Sequence, residues 1–282
     1  MLTLTNKFRV NPVLLDRQKL EKALEAKRKS IYLPFSLHIF DIVSSTNHIL
    51  WNLINRGAST GCVVIATQQT AGKGQWGRQW ISPTGGLYLS VAIPTQGLPA
   101  NESHQLTFAT AWGVVNQLRK FGIDVGIKWP NDLVIEHRKL GGILTETKVH
   151  KGKITQALIG IGINWANPVP ETGINLEMWQ AGKGQNIIPT METLTAQVLL
   201  GIESGIQCLF QEGVNILMSR YLQLLTNIGD RICVNNSIGT VVGVTHTGEL
   251  HIHIQTDETR LSQNPEIYVQ PGTISLGYHQ SS

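Results

Sequence analysis

Residues Ile127–Asn164 read IKWPNDLVIEHRKLGGILTETKVHKGKITQALIGIGIN. Ile127–Trp129, Leu133–Glu136, Gly141–Thr147 and Thr155–Asn164 have the texture of short strands at hairpin-like spacing. Pro130, Asn131 and Asp132 make a tight turn between the first two, and Glu136-His137-Arg138 reads as a hairpin tip. Successive strands with no helix between them pair antiparallel, because a parallel pair needs a crossover of a dozen or more residues. This stretch therefore predicts a sheet with antiparallel pairs, not a purely parallel one.

Working outward, Ser36–Ile42, Cys62–Thr67 and Leu87–Ile93 are apolar strand candidates. Ser44-Ser45-Thr46-Asn47 before His48–Asn55, with Gly57 after it, is the start and stop of a helix. Gln105–Phe121 places Phe108, Trp112, Val115 and Leu118 on one helical stripe, and Gly122 ends it. An amphipathic helix is expected over about Leu14–Lys29. A long helix is expected from Thr190 or Thr193 to about Phe210, and another over Val214–Leu225 beyond Gly213. From Asn227 onward the runs Arg231–Val234, Gly239–Thr245, Leu250–Gln255 and Glu266–Val269 alternate with turns, the texture of a small barrel of about 55 residues. The predicted fold class is α+β: a mixed, largely antiparallel central sheet with flanking helices, plus a small C-terminal β-barrel. The expected organisation is an N-terminal basic helical segment (1–36), a catalytic domain (37–227) and the C-terminal barrel (228–282).

The chain has 282 residues, 41% hydrophobic and only 15% charged, which excludes a disordered, self-repelling polymer. Cys62, Cys208 and Cys233 lie far apart, so neither a disulfide scaffold nor a zinc knuckle is expected. No uninterrupted apolar run reaches the ~18 residues of a bilayer span, and residues near the N-terminus lack a continuous apolar signal core. A cytoplasmic protein with no membrane partner is expected. Residues 1–30 hold eight Lys/Arg against three Asp/Glu, and the remainder holds fifteen against sixteen. The basic excess reads as a solvated helix face, with nucleic-acid contact as the alternative. From Ile42 to Asn101 there is no Asp or Glu, while Arg56, Lys73 and Arg78 are present. Such a stretch could receive an anion, or reflect chance in a charge-poor chain.

Gly72-Lys73-Gly74-Gln75-Trp76-Gly77 matches G-x-G-x-x-G after an apolar strand. No helix opens behind it, and the first acidic residue is Glu102, so a dinucleotide site is excluded. No G-K-[ST] closes the loop, so it is no P-loop either. What remains is a plain connection, or a glycine loop with two cations whose backbone amides can approach an anion. Lys128-Trp129-Pro130-Asn131-Asp132-Leu133 is a surface hairpin or a rigid presentation of Lys128 and Asp132. Arg138-Lys139-Leu140-Gly141-Gly142-Ile143 puts a lysine beside bare backbone. Gly160-Ile161-Gly162-Ile163-Asn164 has strand glycines that admit a ligand or a packed neighbour. His251-x-His253 has the spacing of a metal pair but lacks a third ligand, and no metal site is expected.

Taken together, Ser45-Thr46-Asn47, Gln69, the loop Gly72–Trp80, Lys128–Leu133, Arg138–Leu144 and Gly160–Asn164 resemble the biotin–protein ligase family, from about Leu37 to the end. The resemblance implies a ligase that activates biotin with ATP as biotinyl-5′-AMP. Biotin is then transferred to one lysine of the biotin carboxyl carrier domain of acetyl-CoA carboxylase. It implies an SH3-like C-terminal barrel. It also implies that Ser45, Thr46, Asn47 and Gln69 line the biotin head, with Gly72, Lys73, Gly74 and Gln75 covering biotin and Gly142 and Ile143 packing on its side. Lys73, Gln75, Trp76, Arg78, Trp80, Lys128, Asn131, Lys139, Asn164 and Trp179 are the implied adenylate contacts. ATP and biotin are substrates, and Mg²⁺ is expected with the phosphates rather than in a protein cage.

Because two anions must meet, Lys139 and Arg78 are the expected charge stabilisers. Asp132 is expected to take the proton of the acceptor lysine, whose ordinary pKa is about 10.4. Lys73 and Gln75 stand where the family usually has arginines. Some members carry an N-terminal DNA-binding module and repress transcription; with about 36 residues before the first strand, no DNA partner is expected. The oligomeric expectation is a monomer or homodimer. The alternatives are a lipoate ligase or octanoyl transferase of the same fold, and a biotin-responsive DNA-binding regulator.

Overall fold

The structure, a computed structural model, describes residues 15–28, 31–234, 237–254, 266–274 and 276–278. Helix α1 (Arg17–Glu25) is shorter than the expected Leu14–Lys29, and Asp16 caps it by accepting from the Gln18 and Lys19 amides. Residues 1–14 and 29–30, and the turns at Asn235-Asn236 and Asn264-Pro265, lie outside the described residues.

Seven strands form the main sheet: β1 (Ser36–Val43), β2 (Cys62–Gln69), β3 (Leu87–Ile93), β4 (Gly126–Lys128), β5 (Asp132–Ile135), β6 (Arg138–His150) and β7 (Lys153–Ile163). Their order is β1-β2-β3-β7-β6-β5-β4. Only β1–β2 is parallel; helix α2 (Thr46–Asn55) makes that crossover. Strand β6 runs three residues past the expected limits at each end, and β7 starts two residues before its expected limit. Lys151 and Gly152 both take positive φ, a two-residue hairpin turn whose twist lets charged flanks continue the ladder. Glu136 and His137 do the same between β5 and β6, the expected hairpin tip.

The two sheet faces are covered differently. One carries Val63, Ile65, Leu89, Val91, Ile159, Ile161 and Ile163 into the main core. There α3 (His104–Arg119) and α5 (Met191–Gln207) pack over it. Helix α3 is buried on most of its circumference, not on one stripe, as befits a helix enclosed between sheet and helix. Among the described residues one helix, Met191–Glu212, is long and apolar enough to cross a membrane, but 78% of its apolar window is buried inside the protein. It is a core helix, completed by a π-helical turn at Cys208–Glu212. The short α4 (Leu176–Gly182) and α6 (Val214–Leu222) complete this layer.

The opposite face carries a smaller core of Leu50, Ile54, Cys62, Val64, Ala92 and Leu158 beneath α2. The rest of that face is left open, and the site lies there.

Helix α1 buries Leu20 and Leu24. Glu203 of α5 accepts from the Arg28 guanidinium at 2.6 Å and from the Tyr32 and Leu33 amides at 2.7 Å. Arg17 donates to the Leu37 carbonyl. These two cations of the basic segment therefore fasten chain to chain.

After α6, the backbone at Leu224–Thr226 bonds both ways to Ile127 on the β4 edge. An antiparallel sheet follows, ordered β11-β10-β9-β8, from β8 (Arg231–Val234), β9 (Ser237–Val244), β10 (Leu250–Ile254) and β11 (Glu266–Val269). The Trp129 amide donates to Asn227 and its indole to the Gly248 carbonyl. His251 stacks on Tyr268 and faces Glu266 at 3.3 Å.

Candidate active site

Register builds the floor. Residues directly opposed across neighbouring strands share a sheet face. One row runs Val64, Ser90, Gly160, Leu144; the next runs Ala66, Tyr88, Gly162, Gly142, Asp132, Lys128. The rows lie two residues apart, about 7 Å. Small residues in the middle of both leave a trough. A Cβ on Gly160 would meet Asn47 Oδ1 at 2.3 Å, and one on Gly162 would meet Trp80 Nε1 at 2.4 Å. The glycines therefore admit Asn47 from α2 and the indole of Trp80 from the glycine loop onto the sheet.

At the Gly160 end, polar groups interlock. Gln69 Oε1 accepts from the Thr46 amide at 2.9 Å and its Nε2 donates to Ser82 at 2.9 Å. Ser90 contacts the Thr46 hydroxyl at 2.8 Å and Asn47 Oδ1 at 2.6 Å. Ser45 stands at the N-cap of α2 without using its side chain as a cap. The Asn47 Nδ2, Trp80 Nε1 and Gln75 Oε1 atoms are buried with no hydrogen-bond partner among the described residues. Buried polar atoms are nearly always paired, so this wall is complementary to a ligand bearing both donors and acceptors.

The glycine loop folds back on itself. Gly74 donates to the Arg78 carbonyl, Arg78 to Gln75 and Trp80 to Gly72. Those three amides are spent within the loop and do not face an anion. What the loop offers is charge: Lys73 and Arg78 line the pocket and form no ion pair among the described residues. The Arg78 guanidinium lies 5.8 Å from the Trp76 ring centre.

At the Gly142 end, Lys139 Nζ lies 2.7 Å from Asp132 Oδ1 and 5.2 Å from the Trp80 ring centre. Asp132 Oδ2 accepts from the Tyr278 hydroxyl. Lys128 Nζ sits 3.6 Å over the Tyr278 ring. Burial lowers the Lys128 pKa to about 8, with Asp132 and Asp230 opposing the fall and Lys139 adding to it. Burial, and then the charge of Asp132, pushes the Tyr278 phenol far above its ordinary value, so it keeps its proton and donates.

One pocket is lined by Ser45, Thr46, Asn47, Gln69, Lys73, Gly74, Gln75, Trp76, Arg78, Trp80, Lys128, Asn131, Asp132, Lys139, Gly142 and Ile143. The other expected residues stand differently. Gly72 lies behind the wall, close to Gln69, Trp80 and Ser82. Asn164 donates to the Lys139 carbonyl and accepts from Asn167, so it supports the strand beneath Lys139. Trp179 is 8% exposed, packed in the main core from α4 and away from this pocket. Ile143 reaches the pocket through its backbone, whose carbonyl takes Asn131 Nδ2 at 2.7 Å; its side chain belongs to the core on the other face. Asp132, the expected proton acceptor, has both oxygens engaged. Tyr278, Gly272, Ile274 and Leu276 also line the pocket and were not foreseen.

Among the described residues no three His, Cys, Asp or Glu side chains come together as a metal site. Asp132 is the acidic residue of the described lining, and Lys139 and Tyr278 occupy it. Among the described residues, the pocket lining brings together no set of carboxylates for Mg²⁺.

A model of the biotin/lipoate A/B protein ligase family matches residues 39–164. The bifunctional ligase/repressor BirA of Escherichia coli is 34% identical over 191 residues, 67% of this chain and 59% of that protein. The biotin–[acetyl-CoA-carboxylase] ligase of Paracoccus denitrificans is 33% identical over 123 residues, 42% of this chain and 49% of that one. This chain thus spans less than two thirds of the length of both relatives. In fold it is similar to the Aquifex aeolicus biotin protein ligase solved with biotin and ATP, with a TM-score of 0.63 and 23% identity over 83% of this chain and 95% of that chain. Residues 39–164, which contribute most of the pocket, match the biotin/lipoate A/B protein ligase family.

Proposed function

We propose that this protein is an ATP-dependent biotin–[acetyl-CoA-carboxylase] ligase. It forms biotinyl-5′-AMP and transfers biotin to a specific lysine of a biotin carboxyl carrier domain. The observation that carries the reading is the composition of one pocket: unpartnered amide and indole groups at one end, and Lys73, Arg78, Lys128 and Lys139 around a single carboxylate. A ureido ring has N–H donors and a carbonyl acceptor to satisfy the unpartnered Asn47 Nδ2, Trp80 Nε1 and Gln75 Oε1. A dithiolane ring has neither, so the wall favours biotin over lipoate.

In the first step an oxygen of the biotin carboxylate attacks the α-phosphorus of ATP, and the bond to pyrophosphate breaks. Lys139, Lys128, Arg78 and Lys73 offset the repulsion of two anions and the charge on the leaving group. Gln75 and Trp76 cover the adenylate, and Trp80 lies along the bare strands at Gly142 and Gly162. In the second step the acceptor amine attacks the acyl carbon, AMP leaves with the bonding pair, and the amine nitrogen gives up a proton. Asp132 takes it once Lys139 has turned from Oδ1 to the substrate's negative charge.

We assign catalysis to residues 37–227, with 1–36 as an N-terminal basic helical segment and 228–282 as an SH3-like barrel. The protein acts in the cytoplasm as a monomer or homodimer, without DNA or membrane. Calorimetry with biotin, with lipoate and with neither ATP nor acceptor present tests the reading: biotin is expected to bind, and preferential binding of lipoate would overturn it.

A further inference from the structure

The Asp132–Lys139 pair does not stand alone: the C-terminal segment reaches 146 positions back to it. After β11, Gly272 takes a positive φ of 91°, and a Cβ there would lie 2.3 Å from the Trp76 indole. Ile274, Leu276 and Gly277 then run along the pocket wall, and Tyr278 arrives with its hydroxyl on Asp132 and its ring under Lys128. The segment is anchored to the catalytic unit at a distance. Trp129 is bonded to Asn227 and Gly248, and His104 to the His246 carbonyl.

Lys139 and Asp132 neutralise each other in the pocket, and the second carboxylate oxygen would otherwise be free to rotate toward either lysine. A phenol that donates to Oδ2 fixes the carboxylate plane and so fixes where Oδ1 presents Lys139. The same ring covers the ammonium of Lys128, a contact that desolvates the cation without neutralising it. We propose that Tyr278 is a positioning residue: through Asp132 it aims Lys139, and through its ring it holds Lys128, so the C-terminal segment completes the charged end of the site. The inference rests on the ligase reading for its kinetic consequence, and on geometry alone for the contacts.

The test uses the full chain, with Tyr278→Phe, Tyr278→Ala, Asp132→Asn and the double variant Tyr278→Phe/Asp132→Asn. In biotin-dependent ATP–pyrophosphate exchange, Tyr278→Phe is expected to lower kcat about 10-fold, the scale of one lost hydrogen bond to a charged group, with KM for biotin unchanged. In the Asp132→Asn background the same change is expected to have almost no further effect, because groups acting through one another are not additive. An equal loss in both backgrounds, or a faster Tyr278→Phe enzyme, would overturn the proposal; the latter would mean that the tail obstructs the site.

A second measurement needs no turnover: acetic anhydride labelling of the ligand-free protein, read residue by residue by mass spectrometry. Tyr278→Phe is expected to raise labelling of Lys139, and Tyr278→Ala to raise labelling of Lys128 well above the level in Tyr278→Phe. Labelling of both lysines identical to wild type would refute the contacts. A wild-type protein without exchange activity would instead strike the ligase reading, and the labelling would still decide the role of Tyr278. Because Tyr278→Phe removes one oxygen, that arm stands even if the alanine variant unfolds.

Discussion

Lys139 is the side chain on which most of the chemistry turns. It is held at 2.7 Å by Asp132 and lies over Trp80, so a turn away from Oδ1 brings its charge to the substrate and frees the carboxylate. Replacing Lys139 with Ala is expected to slow adenylate formation by about 10²-fold or more, the scale of one lost charge stabiliser; pyrophosphate exchange measures it, and unchanged rates would remove the residue from the site. Lys128 makes a different prediction. Burial lowers its pKa to about 8, so it is a cation below that pH and neutral above it. The value of kcat/KM for ATP, which reports the free enzyme, is expected to fall as pH rises through about 8. In Lys128→Arg, charged throughout, that fall should vanish. A wild-type profile flat from neutral pH to well above 8 would exclude Lys128 as a phosphate contact. The sign for stability is opposite: the folded state binds fewer protons than the unfolded chain between about 8 and the ordinary lysine value of 10.5, so this group's burial penalty fades as pH rises across that window.

At the scale of elements, the site is a row of missing side chains on β6 and β7 onto which α2 and the glycine loop descend. Gly162→Ala is expected to cost about 1–3 kcal/mol of stability by overpacking and to weaken biotin binding about tenfold by displacing Trp80. Thermal melting and calorimetry check the two effects; a variant with wild-type affinity would show that the indole does not form the floor. The clasp between the N-terminal segment and α5 makes a separate claim. Glu203→Ala strands the Arg28 guanidinium and two backbone amides, and is expected to cost about 3–5 kcal/mol in chemical denaturation while leaving biotin affinity intact.

The hairpin from Lys128 to Asn164 was legible in the sequence because its turns, its glycines and its charged residues all act locally. The same local rule bounds what could be read. Gly142 and Ile143 are neighbours on a strand, so both cannot face one ligand, and the structure gives the trough to Gly142 and the core to Ile143. Trp179 had no flanking pattern to place it, and tertiary packing took it into the core.

For the whole molecule, the largely antiparallel sheet and its flanking helices followed from the succession of strands and amphipathic runs, while the strand order did not. The closure of the site by its C-terminal segment did not. Tyr278 meets Asp132 only because the small sheet docks at Trp129 and Asn227, a contact between distant parts of the chain that leaves no periodic signal around Gly277-Tyr278. The central claim is that these distant parts make one pocket in which biotin is activated and handed to a protein amine. The most direct measurement is intact-protein mass spectrometry of a biotin carboxyl carrier domain after incubation with this protein, biotin and ATP. A single added biotinyl group, dependent on ATP and lost when the carrier's acceptor lysine is replaced by arginine, is the expected result. A carrier that stays unmodified under those conditions, or one labelled equally well without ATP, would contradict it.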